Sequence, residues 1–282
     1  MEILGIIFVS CEQFLILIDM RRTIPAIMAA LVLILSGCSK EDREQATAVI
    51  KTYTKELVQS NVVSVRHQLV PAFDAKGRLC SMIIDSEYFS KEGEVTSSSK
   101  STIAYAYDES AHTALEMNLL EGELAFFDGP TVMELSFDNN WKLTSTYFAE
   151  LESSDTFEYD GDRMIRHTSK GLSHETPFDI TWKDGDIVSI VDESATITIT
   201  YLPDGNPFKK GIDPTLDNLL PDYCTYSMTG AHSAHLPDTY TNTAKTVKTY
   251  KYEYERDTEG RITKITIKGG GETSYYVIGI QY

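Results

Sequence analysis

His232, His235 and Asp238 are side chains of types that could supply metal ligands. Zinc hydrolases place two histidines on one helical face with a glutamate between them as general base. Here the spacing is His232-Ser233-Ala234-His235, the glutamate is missing, and the setting is a loop. The expected role is therefore that of loop histidines satisfied by their neighbours. Asp160-Gly161-Asp162 and Asp184-Gly185-Asp186 could each open a calcium loop, but the alternating acidic ligands and closing glutamate of an EF-hand do not follow either one. Both read as turns. No Gly-x-Ser-x-Gly elbow and no phosphate-cradling glycine loop occurs. With 42 Asp and Glu residues in the chain, carboxylate pairs are too frequent to nominate a glycosidase acid and nucleophile. No catalytic residue, metal ligand or cofactor is expected, and the chain does not read as an enzyme.

The one residue with a defined chemical fate is Cys38. Met20-Arg21-Arg22 is a short basic start, Ile24 to Leu35 is apolar apart from Pro25, and Leu35-Ser36-Gly37-Cys38 closes the run. That order describes a secretory signal with small residues at the cut. Leu35-Ser36-Gly37-Cys38 resembles the lipobox of bacterial lipoproteins, in which the cysteine thiol takes a diacylglyceryl group and becomes the first residue of the mature chain. The resemblance implies a signal peptide over 1–37, with 1–19 preceding the true start at Met20, and anchorage to an outer membrane through lipid on Cys38. Ser39-Lys40-Glu41-Asp42 resembles the surface-export signal of lipoproteins in the Bacteroidota, which favours the cell surface over the periplasmic face.

Composition narrows the partners. The formal charge is −17, which argues against nucleic acid, because phosphate binding needs clustered Lys and Arg. The same charge repels anionic headgroups, so acyl chains rather than a protein face would hold the membrane. Outside the leader and Cys38 the only cysteines are Cys80 and Cys224. An extracytoplasmic compartment permits a disulfide between them, and two buried thiols fit equally well.

The elements that would carry a site are mostly strands. Ala46, Val49, Ile50, Tyr53 and Leu57 recur at helical spacing with no Gly or Pro from 40 to 60, which predicts one N-terminal helix within a tether over 38–61. From about 62 the period becomes two. Ile197, Ile199 and Tyr201 share one side of a strand, Tyr250, Tyr252 and Tyr254 another, and Tyr276, Ile278, Ile280 and Tyr282 a third. Between such runs an aromatic residue, an Asp and a Gly or Asn recur: Phe73-Asp74 to Leu79, Phe137-Asp138 to Leu143, Tyr159-Asp160-Gly161, Trp182-Lys183-Asp184-Gly185 and Tyr254 to Ile262. Asp and Gly accept the positive φ of tight turns, so these are hairpins. Gly269-Gly270-Gly271 joins the last two strands. The predicted fold is mainly β, an antiparallel meander of successive hairpins over 62–282, twisted sheet or barrel-like. An irregular insertion at about 204–245 carries a short helix from Thr215 to Leu220 after Asp213-Pro214.

The turn style resembles the tyrosine–aspartate repeats of Rhs-type proteins. The lipobox, the aromatic–Asp–Gly hairpins, the Asn206-Pro207 insertion and the closing Tyr-rich hairpin together resemble a lipoprotein domain family of unknown function common in Bacteroides-like gut bacteria. That resemblance covers about 62–282 and implies a fold and a location, but no substrate or catalytic residue. The alternation ending at Tyr282 resembles the last strand of outer-membrane barrels, yet the strands look short and the acidic loops regular, whereas spanning strands need roughly 9–11 residues with an apolar outer face. The expected function is that of a non-catalytic binding module for a glycan or protein ligand, with Tyr250, Tyr252 and Tyr254 as candidate ligand-binding residues if their row faces outward, although such a row most often packs inward. A structural or assembly subunit of an envelope complex is the second expectation, and a hydrolase the third.

Overall fold

The computed structural model describes residues 50–122, 129–208, 212–216, 228–244, 246–269 and 273–282. Cys38, the leader and the tether up to Val49 lie outside them. The strands come in hairpins: β1 (Thr52–Gln59) and β2 (Val62–Phe73), β3 (Leu79–Phe89) and β4 (Val95–Asp108), β5 (Thr113–Gly122) and β6 (Thr131–Phe137). Then follow β7 (Leu143–Phe148), β8 (Ser153–Asp160), β9 (Arg163–Lys170), β10 (Glu175–Lys183), β11 (Asp186–Val191) and β12 (Thr196–Gly205). The set ends with β13 (His235–Asn242), β14 (Lys248–Arg256), β15 (Ile262–Gly269) and β16 (Ser274–Gln281). Each strand pairs antiparallel with its neighbours in sequence, and β1 pairs with β16, so the sixteen strands close into a barrel. Of the two forms expected of the meander, the closed one is found.

The expected N-terminal helix is not there: from Thr52 the chain is strand β1. Tyr53 and Leu57 are four residues apart, a spacing that puts two side chains on one face of a strand as well as of a helix. Tyr53 pairs with Ile280 and Leu57 with Tyr276, so both belong to the seam that closes the barrel. That long-range pairing overrides the local helical pattern. Residues 42–49 of the expected helix lie outside the described residues. Of the second expected helix only a turn at 214–216 is described, closed by Leu216 N–H donating to the Asp213 carbonyl at 3.2 Å. Residues 217–220 lie outside the described residues. Among those described, the only helical element is a 3-10 turn, Ala149–Leu151.

The aromatic–Asp–Gly repeats explain one end of the barrel. The ring that ends each even-numbered strand points inward and reaches back to the start of the strand before it. Tyr107 donates its hydroxyl to the Leu79 carbonyl at 2.9 Å, Tyr159 to Leu143 at 2.6 Å and Tyr201 to Ile187 at 2.6 Å. Tyr254 does the same to Pro237 at 2.7 Å, Tyr282 to Ile262 at 3.0 Å, and the Trp182 indole N–H to Met164 at 2.7 Å. Phe73 and Phe137 occupy the equivalent places in β2 and β6 without a hydroxyl. The turn aspartates hold the loops: Asp74 accepts from the N–H groups of Lys76 and Arg78, Asp138 from Asn140 and Lys142, and Asp257 from Glu259 and Arg261. In two of these turns Gly77 and Gly260 take the left-handed φ; in the third Trp141 takes it, at +60°. Its indole is held there against Arg78, whose guanidinium carbon lies 4.7 Å from the ring.

A barrel of about eight strands is filled by its own side chains, whereas sixteen enclose more space than wall residues can occupy. The insertion between β12 and β13 supplies the difference at the aromatic end. Its Phe208, Ile212, Leu216 and Ala231 are buried in one cluster with wall residues such as Leu143, Ile187, Ile265 and Tyr252. Leu143 N–H donates to the Met228 carbonyl at 3.1 Å and Ala234 N–H to Gly185 at 3.0 Å, so the insertion reaches both β7 and the β10–β11 turn. It plugs the end at which β1 begins.

Candidate functional site

Inside and outside of the wall differ sharply. Inward positions are apolar near the plug: Ile199, Tyr252, Ile265, Ile267 and Ile278 are buried. Outward positions on the same strands carry Thr198, Thr200, Lys251, Glu253, Lys264 and Lys268. Many of these pair across strands, with Arg66 to Glu56 at 2.8 Å, Arg166 to Asp179 at 2.7 Å, Lys264 to Glu255 at 2.7 Å and Lys268 to Glu253 at 3.0 Å.

The tyrosine row of β14 faces inward. Tyr252 is 2% exposed and donates to the Thr215 carbonyl of the plug at 3.0 Å. Tyr250 stacks on Tyr240 with ring centroids 4.6 Å apart, and Tyr254 is the latch to Pro237. Burial pushes the Tyr252 and Tyr254 phenols well above their ordinary range. These rings serve the core and the plug rather than an outer platform.

The histidines of the insertion separate. His235 Nδ1 lies 2.9 Å from Asp186, whose other oxygen accepts from the His235 N–H. His232 Nδ1 is 4.0 Å from Asp213. Among the described residues no group of three His, Cys, Asp or Glu side chains could hold a metal ion. Cys80 is buried in β3, and Cys224 lies outside the described residues. The Asp-Gly-Asp stretches are hairpin turns, with Gly161 and Gly185 at positive φ.

Two polar pairs on the inner wall escape sequence reasoning because their members sit on different strands. His67 Nδ1 lies 2.8 Å from Ser86 Oγ across β2 and β3, with the Ser86 hydroxyl buried. His167 is stacked between Phe157 and Phe178 at 4.8 and 5.3 Å, with its Nε2 2.8 Å from Asp155. Burial alone would raise the Asp155 carboxyl, but the hydrogen bonds from His167, Ser169 and Thr146 hold it below the usual carboxylate range.

Among the described residues, a concave feature with free chemistry lies on the outer wall. A groove of about 480 Å³ crosses β2, β3, β4 and β5. In register, Gln68 lies opposite Asp85, Asp85 opposite Lys100, and Lys100 opposite Glu121. The next row is Arg66, Glu87 and Ser98. Arg66 is clamped by Glu56 and by Glu87 at 3.2 Å, and the Glu56 hydrogen bond leads the effects that raise its pKa. Among the described residues Gln68, Asp85, Lys100 and Glu121 have no side-chain hydrogen bond or ion pair. Gly122 lies along one side, where an added Cβ would stand 2.6 Å from the Ser98 carbonyl oxygen. No motif spacing announces this site; the only sequence signal is the polar parity of four separate strands.

No protein-family model and no curated protein matches the chain. A solved structure does. It is a porin-like protein from Bacteroides uniformis, 16% identical, with a TM-score of 0.60 over 84% of this chain and 98% of that one. The likeness is one of fold alone, that of a β-rich barrel. A barrel that spans a membrane turns an apolar band outward and keeps polar groups in its lumen. The outer wall of this chain carries the cross-strand ion pairs described above. Among the described residues no helix is long and apolar enough to cross a membrane.

Proposed function

We propose that the protein is a lipid-anchored, non-catalytic binding module of the outer membrane, facing the cell surface, whose ligand (a glycan or a protein) lies in the groove across β2 to β5. One observation carries this reading: ion pairs such as Arg166–Asp179 and Arg66–Glu56 stand at mid-strand on the outer wall, while the buried apolar cluster lines the inner one. An exposed charge at the middle of a bilayer costs roughly 2–4 kcal/mol on such a barrel, and this wall carries many. The body belongs in water, so attachment falls to the lipid on Cys38. The test compares wild type with Cys38→Ala in fractionated cells and in protease shaving of intact cells. Wild type should sediment with outer membrane and be shaved, and the variant should be released in soluble form. A variant that stays in the membrane through alkaline extraction would mean that the barrel itself is inserted, and the reading would be wrong.

A second reading, a subunit of an envelope assembly, draws on Leu115, Val132 and Tyr147, which are 46%, 37% and 45% exposed on the outer faces of β5, β6 and β7. Exposed apolar residues on adjoining strands suit a protein partner. Co-purification of one partner in fixed ratio, lost on Leu115→Ser, would favour it. Hydrolysis is the third reading and would require the buried Ser86 beside His67 to become accessible.

A further inference from the structure

We infer that the groove across β2 to β5 takes an uncharged, polyhydroxylated ligand, a stretch of neutral saccharide, an assignment that rests on reading that groove as the binding site. The row Gln68, Asp85, Lys100, Glu121 crosses four neighbouring strands, a run of about 14 Å at the usual strand spacing. It offers an amide, a carboxylate, an ammonium and a second carboxylate in fixed order, none of them engaged elsewhere among the described residues. A hydroxyl both donates and accepts, so one sugar ring can satisfy a carboxylate and an ammonium with adjacent groups.

Other ligand chemistries fit less well. An anion would meet Asp85, Glu87 and Glu121, and the guanidinium that could hold it is already clamped by Glu56 and Glu87. A lone cation would be repelled by Lys100, which sits in register between Asp85 and Glu121. An apolar ligand would find no apolar side chain among the lining residues. A polypeptide usually docks on a sheet by adding a strand to an edge, and among the described residues the closed barrel has no free edge strand. The open side at Gly122 matters too, because any side chain there would press on Ser98. With hydrogen bonds but no stacking ring, affinity should be modest, on the order of 0.1–1 mM.

The experiment uses the full chain purified from membranes, with Asp85→Ala and Lys100→Ala, both at exposed positions that leave the core untouched. The probes are neutral hexasaccharides of glucose, mannose and xylose in α and β linkage, hexagalacturonate, and an uncharged unstructured peptide, each titrated by calorimetry. The expected result is that at least one neutral hexasaccharide binds and that each variant weakens it tenfold or more, while hexagalacturonate does not bind. If hexagalacturonate or the peptide binds best and the variants abolish it, the groove stands as the site and the ligand class is overturned. If a saccharide binds equally to wild type and both variants, the groove reading itself fails. No binding by any neutral probe at millimolar concentration also overturns the assignment.

Discussion

Tyr159 donates its hydroxyl to the carbonyl of Leu143 at 2.6 Å, tying the end of β8 to the first residue of β7. The same latch recurs at five other even-numbered strand ends, so its worth can be measured at one of them. Tyr159→Phe keeps the ring and removes the donor. The expected cost is about 1 kcal/mol, read as a lower urea midpoint with an unchanged slope. A midpoint equal to wild type would show that the Leu143 carbonyl exchanges the hydroxyl for water without loss.

The same rings predict alkaline sensitivity. Burial raises the phenol pKa of Tyr107, Tyr159, Tyr201 and Tyr254 above its ordinary value. In the unfolded chain these groups ionise near pH 10, so the unfolded state loses protons first. Their contribution to stability is complete below about pH 10 and falls as pH rises through the higher folded values. Denaturation midpoints should be level from pH 7 to 9 and drop steeply above 10, in step with the ultraviolet signal of tyrosinate. A flat profile up to pH 11 would contradict it.

The hairpins are legible in the sequence because each is written locally, in an aromatic ring, an aspartate and a glycine within seven residues. Closure is not. It depends on β1 meeting β16 across the whole length of the chain, and β1 disguises itself with Tyr53 and Leu57 at a spacing common to helix and strand. Lys55, in register with inward Ile278, also breaks the apolar alternation that would have marked β1 as a strand. The tyrosines of β14 have the right parity for a shared face, but parity does not say which face is inside. The groove is less legible still, since Gln68, Asp85, Lys100 and Glu121 become neighbours only through the register of four strands.

Asp155 predicts the acid limb. Its carboxyl is held below the ordinary range by His167, Ser169 and Thr146 against the effect of burial. A depressed folded value means that the unfolded chain takes up the proton first as pH falls. The stabilisation is present above about pH 4, the unfolded value, and is lost as pH drops through the folded one. Asp155→Asn should cost roughly 1–3 kcal/mol at pH 7 and flatten the dependence of stability on pH below 4. An unchanged acid slope in the variant would assign it to other carboxylates.

Gly122 and Gly77 both have positive φ, at +103° and +79°, but a Cβ meets nothing within 4 Å at Gly77 and comes 2.6 Å from the Ser98 carbonyl oxygen at Gly122. Gly77→Ala should cost about 1 kcal/mol for the backbone alone, and Gly122→Ala roughly 2–4 kcal/mol because β4 must give way. Thermal melts of the two variants side by side decide it. Equal shifts would show that the β4–β5 pair relaxes freely.

The plug offers the sharpest separation of local from global stability. Asp213 is buried, and its carboxylate accepts from Thr215 N–H at 2.9 Å, Thr215 Oγ1 at 2.6 Å and Asn206 Nδ2 at 2.8 Å. Asp213→Ala strands these donors in a dry site, at a cost of roughly 2–4 kcal/mol. Because the plug is tied to the wall by contacts such as Met228 to Leu143, while β14 to β16 keep their own ladders, the loss should appear first in the plug. Amide exchange should quicken at 206–208 and 228–234 while β14, β15 and β16 retain their protection. Equal loss of protection in those strands would mean that the insertion is needed to hold the barrel closed, so that sixteen strands cannot keep their curvature around an emptied core.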